Sequence, residues 1–176
     1  GDRAAALAHF RRAVELDPRD GWAWHAVAHV MQMQGRRRDG VRWLRGGAAS
    51  WSEGSFFALH NWWHLALFHL ALDEVDEVLA LLDGRVLASA SPVVLEMIDA
   101  SALLWRLHLR GIDVGDRWQA LADRWRSRCA ESTYAFNDLH AMLAFAGAGR
   151  DEDMDALLAA QARALHEPAG DNHDFL

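Results

Sequence analysis

DRAAALAHFRRAVELDPRDGWAWHAVAHVMQMQG, Asp2 to Gly35, holds two helical periods separated by a proline stop. Asp2 to Leu16 is Ala-rich and periodic, and it ends at Asp17 because Pro18 disfavours helix for the residue before it. Trp22 to Gln34 is a second helix, with Trp24 and Ala28 one turn apart and Gly35 as its stop. Working outward, the same alternation continues with almost nothing that resembles a strand. Helices are predicted from Asp39 to Ala48, from Ser55 to Ala71 with Ser52 or Ser55 as cap, and from Asp73 to Leu87. Pro92 suits the first turn of a helix reaching Leu109 and closed by Gly111, and further helices run from Asp116 to Cys129, Thr133 to Ala146 and Asp151 to His166. The connections are short, so consecutive helices are expected to be antiparallel neighbours in an all-α fold.

Composition narrows the function classes. The 176 residues are 52% apolar and 24% charged with nine tryptophans, enough for a substantial core. No apolar run approaches the roughly 18 residues of a membrane span, since Phe56 to Leu72 already contains His60, Asn61, His64 and His69. A formal charge of -7 argues against a general nucleic-acid partner, which needs a net basic face. Cys129 is the single cysteine and cannot form an internal disulfide, so it is expected to be a small core residue in a reducing cytoplasm. Neither an initiator Met nor a targeting segment stands at the start, so an internal piece of a longer chain is expected.

A short helix pair cannot bury its apolar face alone, and a regular series of pairs points to a solenoid. Ala6, Phe10, Ala13 and Pro18 resemble the second half of a tetratricopeptide repeat, and Trp24, Ala28 and Gly35 the first half of the next. Ala28, Ala66, Ala102 and Ala141, read as the small residues where paired helices approach, recur at intervals of 38, 36 and 39 residues. These exceed the usual period of about 34, so the later repeats are lengthened. The segments AWHAVAHVMQMQGR, HNWWHLALFHL, IDASALLWRLHLRGIDVGDRW and FNDLHAMLAFAGAGR, in this order, resemble the tetratricopeptide repeat protein 38 family over residues 20–148. The resemblance implies antiparallel helix pairs stacked as a right-handed superhelix, and no established reaction. The expected organisation is one helical-repeat domain: a half repeat at 1–18, repeats at about 20–50, 55–88, 92–129 and 133–166, and a loop-like tail at 167–176 containing Pro168, Gly170 and His173.

The histidines depart from the repeat consensus. His25 and His29 form one HxxxH pair, His60 and His64 another, and residues four apart share a helix face. The first helix of each tetratricopeptide pair lines the concave groove, so the resemblance implies groove positions for Trp22, His25, His29, His60, Asn61, Trp63 and His64. It implies the same for Asp99, Asn137, Asp138 and His140 in the later repeats. Three uses are open. The polar side chains can satisfy one another in a core network, or they can recognise an extended peptide or small polar ligand, with Trp22 or Trp63 as stacking surfaces. Alternatively, two HxxxH pairs can hold zinc at about 2.0–2.1 Å, with Asn or Asp orienting the rings and Glu53 or an Asp accepting a proton in a metal-dependent hydrolysis.

No HExxH, glycine-rich phosphate loop or Ser/His/Asp order is present. The arginines of GRRRDGVRWLRG (Gly35 to Gly46) and RWQALADRWRSRC (Arg117 to Cys129) read as solvated faces, with Trp118, Leu121 and Trp125 as a core stripe. The expectation is a binding scaffold without catalytic residues or an obligatory cofactor. Its partner would be a protein, a peptide or a small polar ligand, and exposed repeat ends would allow self-association. A zinc-binding protein or hydrolase built on His25, His29, His60 and His64 is the alternative.

Overall fold

A computed structural model of the chain describes residues 3–88, 93–128 and 134–165, and among them there are helices and turns but no strand. Contacts gather the chain into two compact units, residues 1–89 and 90–176. The first contains α1 (Arg3–Leu16), α2 (Gly21–Met33), α3 (Arg37–Trp51), α4 (Ala58–Leu70) and α5 (Val75–Leu81), which runs into a π-helical turn (Leu82–Val86). The second contains α6 (Val94–His108), α7 (Arg117–Arg126), α8 (Ala135–Ala148) and α9 (Asp151–Ala164). No helix among the described residues is long and apolar enough to cross a membrane.

In the first unit each helix packs on the next, and α2 also packs on α4. The α2 N-terminus is set by Asp20, whose carboxylate accepts from the amides of Trp22 (3.0 Å) and Ala23 (3.1 Å). Flanked by three helices, α2 buries Ala23, Trp24, Val27, Ala28, Val30 and Met31 rather than a single narrow stripe. α3 comes close because Gly40 and Gly47, two turns apart, present bare backbone to the rings of Phe68 and Trp24, where a Cβ would lie within the ring's contact distance. The Trp24 ring is further held by its Nε1–H on the Pro18 carbonyl (2.9 Å) and by Trp43, whose Nε1–H donates to the Trp24 carbonyl (3.2 Å).

Element ends differ from expectation for identifiable reasons. α3 extends to Trp51 instead of stopping at Ala48, because Trp51 is fully buried and its Nε1–H donates to the Leu44 carbonyl (3.0 Å). Ser55 does not cap α4. Its hydroxyl accepts from the Phe57 amide (3.2 Å) and shapes the turn before the helix, while Ser52 ends α3. Asp73 cannot begin α5 because its φ of 60° is left-handed. Of the small residues expected at close approaches, Ala28, Ala66 and Ala141 are buried, whereas Ala102 is only half-buried and its neighbours Ala100 and Ser101 take the interior.

In the second unit α8 packs against α6, α7 and α9. Trp125 Nε1–H donates to the buried Ser101 hydroxyl (2.9 Å), joining α7 to α6. α8 ends at Gly149, whose φ of 65° is the left-handed conformation that terminates a helix. Pro92, Cys129, Thr133, His166 and the tail from 167 lie outside the described residues.

Candidate metal centre

The α2 and α4 pairs meet. Asn61, fully buried, donates its Nδ2–H to the Gly21 carbonyl (3.0 Å), which fixes the register of α4 against the start of α2. One turn further along α4, His64 faces the last turn of α2 and its Nδ1–H donates to Gln32 Oε1 (3.1 Å). Between these two bonds lie His25 and His29 from α2 and His60 and His64 from α4, with one ring nitrogen from each within 4.8 Å of all the others. His25 Nε2 stands 2.9 Å from His29 Nε2. Ring centroids are 4.3 Å apart for His25 and His29, 4.6 Å for His29 and His64, and 4.8 Å for His60 and His64. A tetrahedral ion about 2.0–2.1 Å from each nitrogen needs nitrogens about 3.3–3.4 Å apart, a value that the observed spacings bracket. The four imidazoles can therefore hold a metal ion.

Protonation favours the same use. Burial, with the neighbouring imidazoles, pushes His25 down to about 3 and holds His29 below and His64 well below the ordinary imidazole value. All three are neutral at pH 7, which is the metal-ligating form. His64 is 2% exposed. With Nδ1 committed to Gln32, its Nε2 is buried and has no hydrogen-bond partner. A buried unpartnered acceptor costs about 1–3 kcal/mol, so the absence of a partner calls for a reason.

Aromatic rings wall the cluster. Trp63 stacks on His60 at 5.2 Å and 12°, and Phe57 lies 5.3 Å from the His25 ring. Trp22 meets His25 edge-on at 5.7 Å and packs on Phe57 at 3.9 Å, while remaining 61% exposed. His25 and His29 also line a pocket of about 840 Å³ whose other walls come from α1 and α2.

The other predicted groove residues behave differently. Asn61 is fully buried, and its Nδ2–H donates to the Gly21 carbonyl while its Oδ1 has no hydrogen-bond partner. In the second unit Asp99, Asp138 and His140 are buried and Asn137 is half-buried. Asp138 accepts from Gln161 Nε2 (3.3 Å), and His140 Nδ1–H donates to the Phe136 carbonyl (2.8 Å). These bonds turn Asp138 and His140 into packing partners of their own unit. Glu53 lies exposed in the turn between α3 and α4.

One participant was missed in the sequence. Gln32 stands three residues after His29, one turn along the same helix, and that spacing was the available signal. His69, third histidine of its helix, is buried itself and belongs to a separate network that reaches the surface. Its Nδ1–H donates to Glu74 (2.6 Å) and its Nε2 accepts from Arg45 (3.1 Å), which also pairs with Glu77. Both ring nitrogens are thus satisfied, in contrast to His64. Compared with known proteins, the chain matches no family model and no solved structure.

Proposed function

We propose that this chain is a helical-repeat binding module whose central site is a transition-metal ion held by His25, His29, His60 and His64. The observation that carries it is the buried, unpartnered Nε2 of His64, on a ring whose centroid stands 4.9, 4.6 and 4.8 Å from those of His25, His29 and His60, while Gln32 holds the opposite nitrogen. A hydrogen-bond acceptor on the nitrogen that does not bind the metal is the usual means of fixing the tautomer and orientation of a ligating histidine. Zinc is the ion of choice, because it has no electronic preference among geometries and accepts an all-imidazole set; copper(II) and nickel(II) share that taste for nitrogen. The role is binding. Repeat architecture is supported by the packing of alternate helices, α2 on α4 and α6 on α8, and by the resemblance to the tetratricopeptide repeat protein 38 family.

Metal content of tag-free protein, measured by plasma mass spectrometry beside a His60→Ala/His64→Ala double variant, tests this. Near-stoichiometric metal that vanishes in the variant is expected. Absence of metal from both after incubation with zinc would refute it and leave the cluster as a peptide-recognition surface, for which the exposed Trp22 beside His25 is the favouring feature.

A further inference from the structure

Four neutral imidazoles leave a bound dication with its full charge. The ligand set contains no carboxylate and no thiolate, and His64 lies at its buried end while His29 is exposed. A partly buried double charge in surroundings of low dielectric attracts an anion, and a zinc ion sometimes expands from four ligands to five. The direction from which an anion can approach is set by the pocket, because His25 and His29 form part of its wall. The rest of that wall is apolar: Phe10 and Ala13 from α1, with Trp22, Val30 and Met33 from α2. Its acidic member, Asp20, has its carboxylate engaged by two α2 amides. At about 840 Å³ the pocket is within the range of small-molecule sites.

We infer that the centre and the pocket act together as a site for a free monocarboxylate with an apolar body, the carboxylate oxygen on the ion beside His25 and His29 and the body against Phe10, Trp22, Val30 and Met33. This rests on the metal proposal above. No bond is made or broken in the ligand; its carboxylate oxygen would add to the ion as a fifth ligand beside the four imidazoles, with nothing displaced.

The test uses the full chain, zinc-loaded and metal-free, with decanoate as probe and decanol as its uncharged counterpart, followed by titration calorimetry. Decanoate is expected to bind the zinc-loaded protein at least tenfold more tightly than the metal-free protein, and at least tenfold more tightly than decanol. Ala13→Trp, which fills the half-buried α1 wall, and Phe10→Glu, which makes that wall anionic, should each weaken decanoate tenfold or more while zinc stoichiometry stays unchanged. Stoichiometric zinc with equal decanoate binding to loaded and metal-free protein, or with decanoate no better than decanol, would overturn this inference and leave the metal site standing. Failure to bind zinc at all would overturn both.

Discussion

Replacing His64 with leucine separates a metal site from a structural network by the size of its effect. In a satisfied network the change would break a bond and destabilise. Here opposing effects offset one another. The variant loses one hydrogen bond, Nδ1–H to Gln32, worth about 0.5–1.5 kcal/mol, and Gln32 is exposed and turns to water. It removes a buried Nε2 acceptor without a partner, recovering about 1–3 kcal/mol of desolvation cost. Leucine is similar in size to the imidazole, and such exchanges cost less than about 1.5 kcal/mol in packing. The two larger effects nearly cancel, so the metal-free variant should lie within about 2 kcal/mol of wild type. Zinc at a hundredfold excess over its Kd should stabilise the wild type by about 2.7 kcal/mol and the variant by much less. Urea denaturation of both proteins, with chelator and with zinc, measures all four quantities. A metal-free variant weaker by more than about 2 kcal/mol, with zinc stabilisation intact, would refute the reasoning.

Four further outcomes are expected. Gln32→Ala should weaken zinc about 10–100-fold, read by competition with a chelating dye, with metal-free stability nearly unchanged because the side chain is exposed. Asn61→Ala orphans the buried Gly21 carbonyl, at about 1–3 kcal/mol, and also removes the buried unpartnered Oδ1, so a net loss of less than about 3 kcal/mol in urea is expected; no loss would show that the tie is dispensable. Gly47→Ala should destabilise by about 1–3 kcal/mol despite better helix propensity, since its Cβ meets the Trp24 ring, which is held by Pro18 and Trp43. Acid should weaken the metal-free protein. His25 titrates near 3 when folded and near the ordinary 6.5 when unfolded, so between these values the unfolded chain binds a proton that the native chain refuses, and stability falls as pH drops below about 6.5. His29 and His64 are shifted in the same direction. A urea midpoint unchanged between pH 7.5 and pH 5 would contradict this.

The helical class and the two HxxxH pairs were legible in residue order because both depend on local periodicity: a helix repeats every 3.6 residues, and positions four apart share a face wherever the helix goes. Trp24 and Ala28 announced the packed side of α2 in the same way, and Pro18 and Gly35 its limits. Helix ends were less legible, since Trp51 lengthens α3 through a buried bond to its own backbone and Asp73 withdraws from α5 through its backbone angle. The meeting of His25 and His29 with His60 and His64 was expected in sequence only through the resemblance to a repeat family, and the packing that realises it belongs to the tertiary structure. It depends on the Asn61 bond to Gly21, forty residues away, and on Gly40 and Gly47 letting α3 draw close to α4 and α2. So does the difference between His64 and His69, two histidines of one helix that look alike in sequence. Neutrality at His25 and His64 and the missing partner of Nε2 are consequences of burial, and burial belongs to the packed molecule and to no single stretch of its chain.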